Sequence, residues 1–113
     1  MSHERTAYLR LVLAAYVALP DTPERPRPLD RTVAARLYDR RVPLATVTDA
    51  LTLAAARRAF RALQAPALPP IRSLAYFLPV VDELLAHPLP NGYIDYLTAK
   101  LRRATRPENR VSS

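Results

Sequence analysis

The stretch RTVAARLYDRRVPLATVTDAL, residues 31–51, carries the clearest structural signal in the chain. Its apolar residues recur at spacings of three and four on both sides of a charged break, as in α-helices that bury one face. The break at Asp39–Arg41 is followed by Pro43, a residue that suits the first turn of a helix. The stretch therefore predicts two consecutive helices joined by a short turn. Their buried stripes are Val33, Ala34, Leu37 and Tyr38, and then Leu44, Val47, Ala50, Leu51 and Ala54.

On the N-terminal side, a first helix is predicted from about Glu4 to Leu19, where Pro20 ends it. The second half of this helix is apolar nearly all round, so it is expected to be central to a core or covered by a partner. The sequence PDTPERPRP, residues 20–28, cannot be helical and predicts a stiff, extended connector. The second helix is expected to start near Asp30, a favourable N-cap residue.

On the C-terminal side, the third helix is predicted to end before Ala65 and a fourth to run from Pro70 to His87. Pro79 interrupts the fourth helix, so it either kinks one helix or starts another; the continuous apolar period favours the kink. A fifth helix is predicted to follow Asn91-Gly92, with Asn91 as its candidate N-cap. Its stripe is Tyr93, Ile94, Leu97 and Leu101.

The composition agrees with an all-α fold, a compact bundle of about five helices with a proline-rich connector after the first. The 113 residues include one glycine and 12 prolines, and half of them are hydrophobic. Sheet proteins use more glycine in their turns, and this length suits one domain, predicted as residues 1–106 with a disordered tail at 107–113. The absence of cysteine excludes disulfides and thiolate sites. The apolar segment 11–19 is too short to span a membrane and predicts a buried helix in a cytoplasmic protein.

The strong positive charge indicates a phosphate-bearing partner. The net charge is +7, and Lys100 is the only lysine among 17 basic residues. Arginine forms bidentate contacts with phosphates, so the charge favours nucleic acid, with DNA as the first choice. The candidate contacts are Arg36, Arg40, Arg41, Thr46, Thr48, Arg57, Arg58, Arg61, Lys100, Arg102 and Arg103. The alternative is a set of separately solvated helix ends, where arginine also suits the helix dipole.

Residues 31–51 resemble the helix-turn-helix of small DNA-binding domains. Ala35 corresponds to the small residue at the helix crossing, and Val42 corresponds to the hydrophobic residue of the turn. The resemblance implies that Thr46, Thr48 and Asp49 face outward at the start of the recognition helix, with nearby arginines on phosphates. The turn departs from that pattern because it lacks glycine and is about two residues longer. An ordinary helical hairpin is the alternative.

Two later segments, PPIRSLAYFLPVVDELL at 69–85 and GYIDYLTAKLRR at 92–103, resemble the helical domains of DnaD-type replication proteins of phages and plasmids. The matching positions are Ala50, Leu51 and Ala54 together with 76–78. This resemblance implies an accessory role in replication or on a mobile element. The aromatic residues are interpreted as core rather than as stacking platforms for single strands.

No residue pattern predicts catalysis, a metal site or a cofactor. His3 and His87 lack supporting groups, and the adjacent Asp82 and Glu83 point to different sides of a helix. The chain is therefore predicted not to be an enzyme and to have no membrane partner. The alternative function is a protein-interaction module whose apolar first helix binds a larger partner or a second copy, giving a homodimer.

Overall fold

In the computed structural model, which describes residues 3–61 and 64–105, the chain forms five α-helices and one 3₁₀ segment. The helices are α1 His3–Val17, α2 Pro28–Asp39, α3 Leu44–Ala59, α4 Leu78–Ala86 and α5 Tyr93–Thr105, and the 3₁₀ segment is Leu74–Phe77. The two described ranges contain no strand, so the predicted all-α bundle of about five helices is confirmed. The predicted disordered tail, 107–113, lies outside the described residues.

Helix α3 is the centre of the bundle and contacts α1, α4, α5 and the 3₁₀ segment. Four of its buried residues are alanines, at positions 50, 54, 55 and 56. Alanine has the highest helix propensity, and its small side chain lets neighbouring helices approach closely. Val47 and Leu51 fill the remaining space and are almost completely buried. The alanine-rich stripe therefore explains why one helix can contact most of the others.

Helices α1 and α2 pack against each other in opposite directions. The Tyr8 ring meets the edge of the Tyr38 ring at 5.2 Å, and the Tyr8 hydroxyl donates to the Val42 carbonyl at 2.7 Å. At the other end, Tyr16 is fully buried, and this burial, together with the charge of Asp30 in the first turn of α2, raises the pKa of its hydroxyl. These contacts place the start of α1 beside the end of α2, and the end of α1 beside the start of α2.

The turn between α2 and α3 is a Schellman motif built without glycine. The Arg41 amide donates to the Tyr38 carbonyl at 2.9 Å, and the Val42 amide donates to the Leu37 carbonyl at 3.1 Å. Arg41 has a φ of 64°, the left-handed conformation that glycine usually adopts at this position. An arginine therefore occupies the strained position of the turn, and Val42 is buried as the predicted hydrophobic residue of the turn.

The prediction that Asp30 is the N-cap of the second helix was wrong. Helix α2 begins two residues earlier, with Pro28 in its first turn, and Asp30 occupies the third helical position. Its carboxylate accepts the backbone N–H of Arg27 at 2.8 Å and that of Leu74 at 2.9 Å. A carboxylate at this position can cap the helix from inside, as in a capping box, and here it also joins α2 to the 3₁₀ segment.

The favoured kink at Pro79 was also wrong. Residues 70–73 are not helical, the 3₁₀ segment follows, and α4 starts at Leu78 with Pro79 in its first turn. Proline is favoured there because the first-turn amides of a helix have no intrahelical acceptor. The apolar period continues through Pro79 because the 3₁₀ segment and α4 contribute Leu74, Phe77 and Val81 to the same core.

Two other predicted helices were extended too far at their C-terminal ends. Helix α1 ends at Val17 instead of Leu19, and α3 ends at Ala59 rather than near Ala65. Helix α5 starts at Tyr93, directly after Asn91-Gly92 as predicted, but the residue before its first turn is Gly92, with a φ of 83°, instead of the candidate cap Asn91. Apolar residues in the connecting loops extended the apparent stripes beyond the hydrogen-bonded turns.

Candidate nucleic-acid interface

Two of the predicted phosphate contacts form ion pairs with helix α4. Arg57 forms two hydrogen bonds with Glu83, Nη1 to Oε1 at 2.8 Å and Nη2 to Oε2 at 2.6 Å. Arg40 Nη2 lies 3.3 Å from Asp82 Oδ1. The adjacent acids of α4 therefore connect α2 and α3 to the same helix. The hydrogen bonds from Arg57 lower the pKa of the Glu83 carboxyl below its usual 4.5.

Arg58 and Arg61 hold loop residues. The Arg58 side chain is only 9% exposed; it lies 3.4 Å from the Asp21 carboxylate and donates to the Pro69 carbonyl. Arg61 donates to the Pro66 carbonyl at 2.7 Å. Arg58 therefore joins the end of α3 to two loops, whereas the Arg61 bond lies within the segment after α3.

The start of α3 is less open than the helix-turn-helix resemblance implies. Thr46, Thr48 and Asp49 are half-buried instead of facing outward. The Thr48 hydroxyl is within hydrogen-bonding distance of the Leu44 and Ala45 carbonyls of its own helix. Thr46 and Asp49 line a cleft of about 320 Å³ with residues 88–92 and the start of α5. Burial, and secondarily Asp95, raises the pKa of the Asp49 carboxyl. The connection between α4 and α5 therefore covers part of the predicted recognition surface.

A different set of residues meets between the end of α3 and α5. We call this site the α3–α5 cleft; it is formed by Arg57, Phe60, Tyr93, Tyr96 and Lys100 around a space of about 490 Å³. The three aromatic residues, Phe60, Tyr93 and Tyr96, are 37%, 39% and 55% exposed. Leu53, Ala56 and Leu97 form its buried floor. Aromatic rings are thus presented to solvent on a packed base.

Lys100 lies over two of the aromatic rings of the α3–α5 cleft. Lys100 Nζ lies 4.7 Å from the Phe60 ring centroid and 5.9 Å from the Tyr96 centroid, so it bridges α3 and α5. Tyr93 and Tyr96 are stacked with centroids 6.2 Å apart and planes at 27°. Cation–π contacts of this kind orient the rings at a small energetic gain, about 0.5–1 kcal/mol when exposed.

The structure brings together only part of the predicted site. Arg57 and Lys100 lie in the α3–α5 cleft, and the helical period places Arg103 on the same side of α5 as Tyr96 and Lys100. Arg102 lies on another side of α5, while the exposed Arg36 and Arg41 lie toward the end of α2. The eleven predicted contacts therefore do not form one continuous face.

The aromatic members of the cleft were missed at the sequence level. The prediction assigned aromatics to the core, which is correct for Tyr8, Tyr16 and Phe77. It was wrong for Tyr76, Tyr93 and Tyr96, which are 46%, 39% and 55% exposed. The spacing of Tyr93, Tyr96 and Lys100 at i, i+3 and i+7 could have revealed their shared face. Phe60 has no such signal because it lies just beyond the end of α3.

Comparison with family models, with curated proteins and with solved structures finds no match to the chain. Across residues 3–61 and 64–105, no helix combines the length and apolar character required to cross a membrane. The same ranges contain no group of three or more His, Asp or Glu side chains placed to hold a metal ion.

Proposed function

We propose that the protein is a nucleic-acid-binding accessory protein that holds single-stranded nucleic acid, with DNA as the first choice, in the α3–α5 cleft. The observation that carries this proposal is the concentration of three exposed aromatic rings and two cationic side chains around one concave site. Unpaired bases stack on aromatic side chains, and cations beside the rings attract the phosphates. The choice of DNA rests on the resemblance to helical domains of replication proteins.

The rings of the cleft suit base stacking because each keeps part of its surface in water. Stacking of one base on one aromatic side chain contributes about 1–3 kcal/mol. Tyr96 is 55% exposed, and the residues beneath the cleft are packed, so the ring offers surface to a base on a firm floor.

Charge near the rings supplies the second part of the interaction. Lys100 is exposed and contacts both Phe60 and Tyr96, so a phosphate next to a stacked base can reach its ammonium group. Arg57 is held by Glu83 and contributes mainly to the wall of the cleft. Neutralising one phosphate on a single strand contributes a salt dependence of about 0.7 in log Kd per log unit of salt.

Single strands are favoured over duplex because the rings of the α3–α5 cleft are more accessible than the start of α3. Duplex readout by a helix requires an open N-terminal turn, but Thr46 and Asp49 at the start of α3 line a cleft partly closed by residues 88–92. The exposed rings can reach base faces only when those bases are unpaired. Strand preference is thus the feature that separates this proposal from the helix-turn-helix interpretation.

The test is a titration of the protein with a labelled oligothymidylate and with a labelled duplex, each at two salt concentrations. We expect the Phe60→Ala/Tyr96→Ala variant to bind the single strand about tenfold or more weakly, and Lys100→Gln to reduce the salt slope. Tyr76→Ala is the matched control, because Tyr76 is also exposed and contacts an arginine, 5.8 Å from Arg58, but lies outside the cleft. Circular dichroism is used to check that each variant is folded.

Three results would overturn the proposal. The first is no affinity for the single strand at low salt. The second is an equal loss of affinity in Tyr76→Ala and in the double variant, which would indicate a nonspecific effect of removing aromatics. The third is tighter binding of duplex with no dependence on Phe60 or Tyr96, which would favour the start of α3 as the interface.

A further inference from the structure

A groove between α1 and α2 differs in its chemistry from the α3–α5 cleft. Its apolar lining includes Leu9, Leu13, Val17 and Pro26, and it encloses about 470 Å³. Leu13 is buried, whereas the other three are half-buried. Some of the apolar residues of α1 therefore line this groove and are only partly buried.

The walls of this groove carry positive charge. Arg10 from α1 and Arg31 from α2 line it, both are exposed, and no acidic side chain lines it among the described residues. Neither arginine has a carboxylate within 4.0 Å in the described parts of the chain. Arg5 also lines the groove and lies 4.0 Å from Asp39. An apolar floor between Arg10 and Arg31 suits a ligand that is apolar on one side and anionic at its edges.

We propose that the α1–α2 groove is a docking site for an amphipathic helix of another protein, with leucine-like residues on its apolar face and flanking glutamates or aspartates. The lining runs from Thr6 to Val17 of α1. At 1.5 Å per residue this span is roughly 17 Å, or about three turns of a partner helix. The apolar face enters the groove, and the carboxylates pair with Arg10 and Arg31.

Charge distinguishes this occupant from a second copy of the chain. A symmetric dimer through the groove would bring the same arginines of both copies toward each other, because each copy presents the same patch. Like charges at such an interface are unfavourable, and the groove offers no acidic residue to compensate among those described. The carboxylates of an acidic partner attract the same arginines, so charge complementarity favours a helix of another protein.

The probe is a labelled synthetic amphipathic peptide of about 15 residues, with leucines at i, i+3, i+4 and i+7 and glutamates at the flanking positions. Its control is a scrambled peptide of identical composition. Fluorescence polarisation at low salt measures binding to wild-type protein and to two double variants. In Arg10→Glu/Arg31→Glu both charged walls are reversed; in Arg36→Glu/Arg72→Glu two exposed arginines outside the groove are reversed.

The two double variants have the same formal charge, because each Arg→Glu substitution changes it by −2 and two of them lower it from +7 to +3. We expect binding of the amphipathic peptide to weaken about tenfold or more in Arg10→Glu/Arg31→Glu and to change only slightly in Arg36→Glu/Arg72→Glu. A further variant, Ala14→Glu, places an acid at an exposed position in the groove and should weaken binding without altering the fold.

Several outcomes would overturn the docking proposal. These are no binding of the amphipathic peptide, equal binding of the scrambled peptide, or equal losses in the two double variants. Oligothymidylate or vesicles with anionic lipid that compete at the groove more strongly than the peptide, with dependence on Arg10 and Arg31, would assign the surface to another class of ligand. Phe60→Ala/Tyr96→Ala lies outside the groove, so its effect on the peptide should be negligible, and failure here leaves the α3–α5 cleft unaffected.

Discussion

Replacing Asp30 with alanine should destabilise the protein more than removal of any surface carboxylate. The Asp30 side chain is almost completely buried, and its two oxygens accept different backbone amides. One amide belongs to Arg27 at the start of α2, and the other belongs to Leu74, 44 residues further along the chain. The substitution Asp30→Ala therefore removes a helix cap and a link between two elements at once.

The expected magnitude follows from these two losses. A lost helix cap costs about 0.5–2 kcal/mol. The Leu74 amide is left buried without its acceptor, which costs about 1–3 kcal/mol. Relief from the desolvation of a buried carboxylate offsets part of the sum. We therefore expect Asp30→Ala to lower the free energy of unfolding by about 2–4 kcal/mol, a large part of the roughly 5–15 kcal/mol typical of a domain.

Urea unfolding followed by far-ultraviolet circular dichroism measures this change. Glu24→Ala is the control: Glu24 is an exposed carboxylate in the connector, and its removal should alter stability by less than about 0.5 kcal/mol. Asp30→Asn should fall between the two, because its amide retains one accepting oxygen. A loss below about 1 kcal/mol for Asp30→Ala would refute the dual role assigned to this carboxylate.

The remaining predictions concern hydroxyl groups and pH. Tyr8→Phe should destabilise the protein by about 1 kcal/mol, because it removes the buried hydrogen bond to Val42. Tyr16→Phe should be neutral or slightly stabilising, because the buried Tyr16 hydroxyl has no partner among the described residues; urea unfolding that ranks the two variants in reverse order would contradict this. Burial first, and then the charge of Asp30, raises the pKa of Tyr16 to about 12, so its protonated form contributes stability below pH 10 that is lost as the pH rises toward 12. Glu83 has a lowered pKa, so its pair with Arg57 contributes stability above pH 4.5, and this stability is lost on further acidification. Between neutral and acidic pH, the wild type should therefore lose more stability than Glu83→Gln. Equal losses in the two proteins would count against the pair.

The number and type of helices could be predicted because each helix carries its own evidence in the sequence. Apolar residues at helical spacing and prolines between them depend only on neighbours along the chain. Asp30 shows where such evidence ends. A carboxylate near a helix start can act as N-cap or as third helical residue, and the choice here involves the amide of Leu74. Pro79 is similar, because the residues on both sides of it share one core although they form two elements.

The candidate sites were less predictable because they depend on pairs of residues far apart in sequence. Arg40 and Arg57 were expected to contact phosphates, yet their partners Asp82 and Glu83 lie 42 and 26 residues away. Tyr96 could be placed on an exposed face from its spacing to Lys100, but its proximity to Phe60 requires the packing of α5 on α3. Helical periodicity gives the faces of each helix and leaves open which faces meet.

The ion pairs change what a net charge of +7 means for binding. Two acids of α4 lie beside Arg40 and Arg57, so these two arginines are paired within the protein. Other basic residues have different surroundings: Lys100 lies beside exposed rings, and Arg10 and Arg31 lie beside an apolar groove. Because ions screen exposed charges beyond about 8 Å at physiological salt, local surroundings decide the ligand more than the total charge does. Rings beside a cation favour a base with its phosphate, whereas an apolar floor beside arginines favours an acidic helix. The same excess of basic residues can therefore serve two different surfaces.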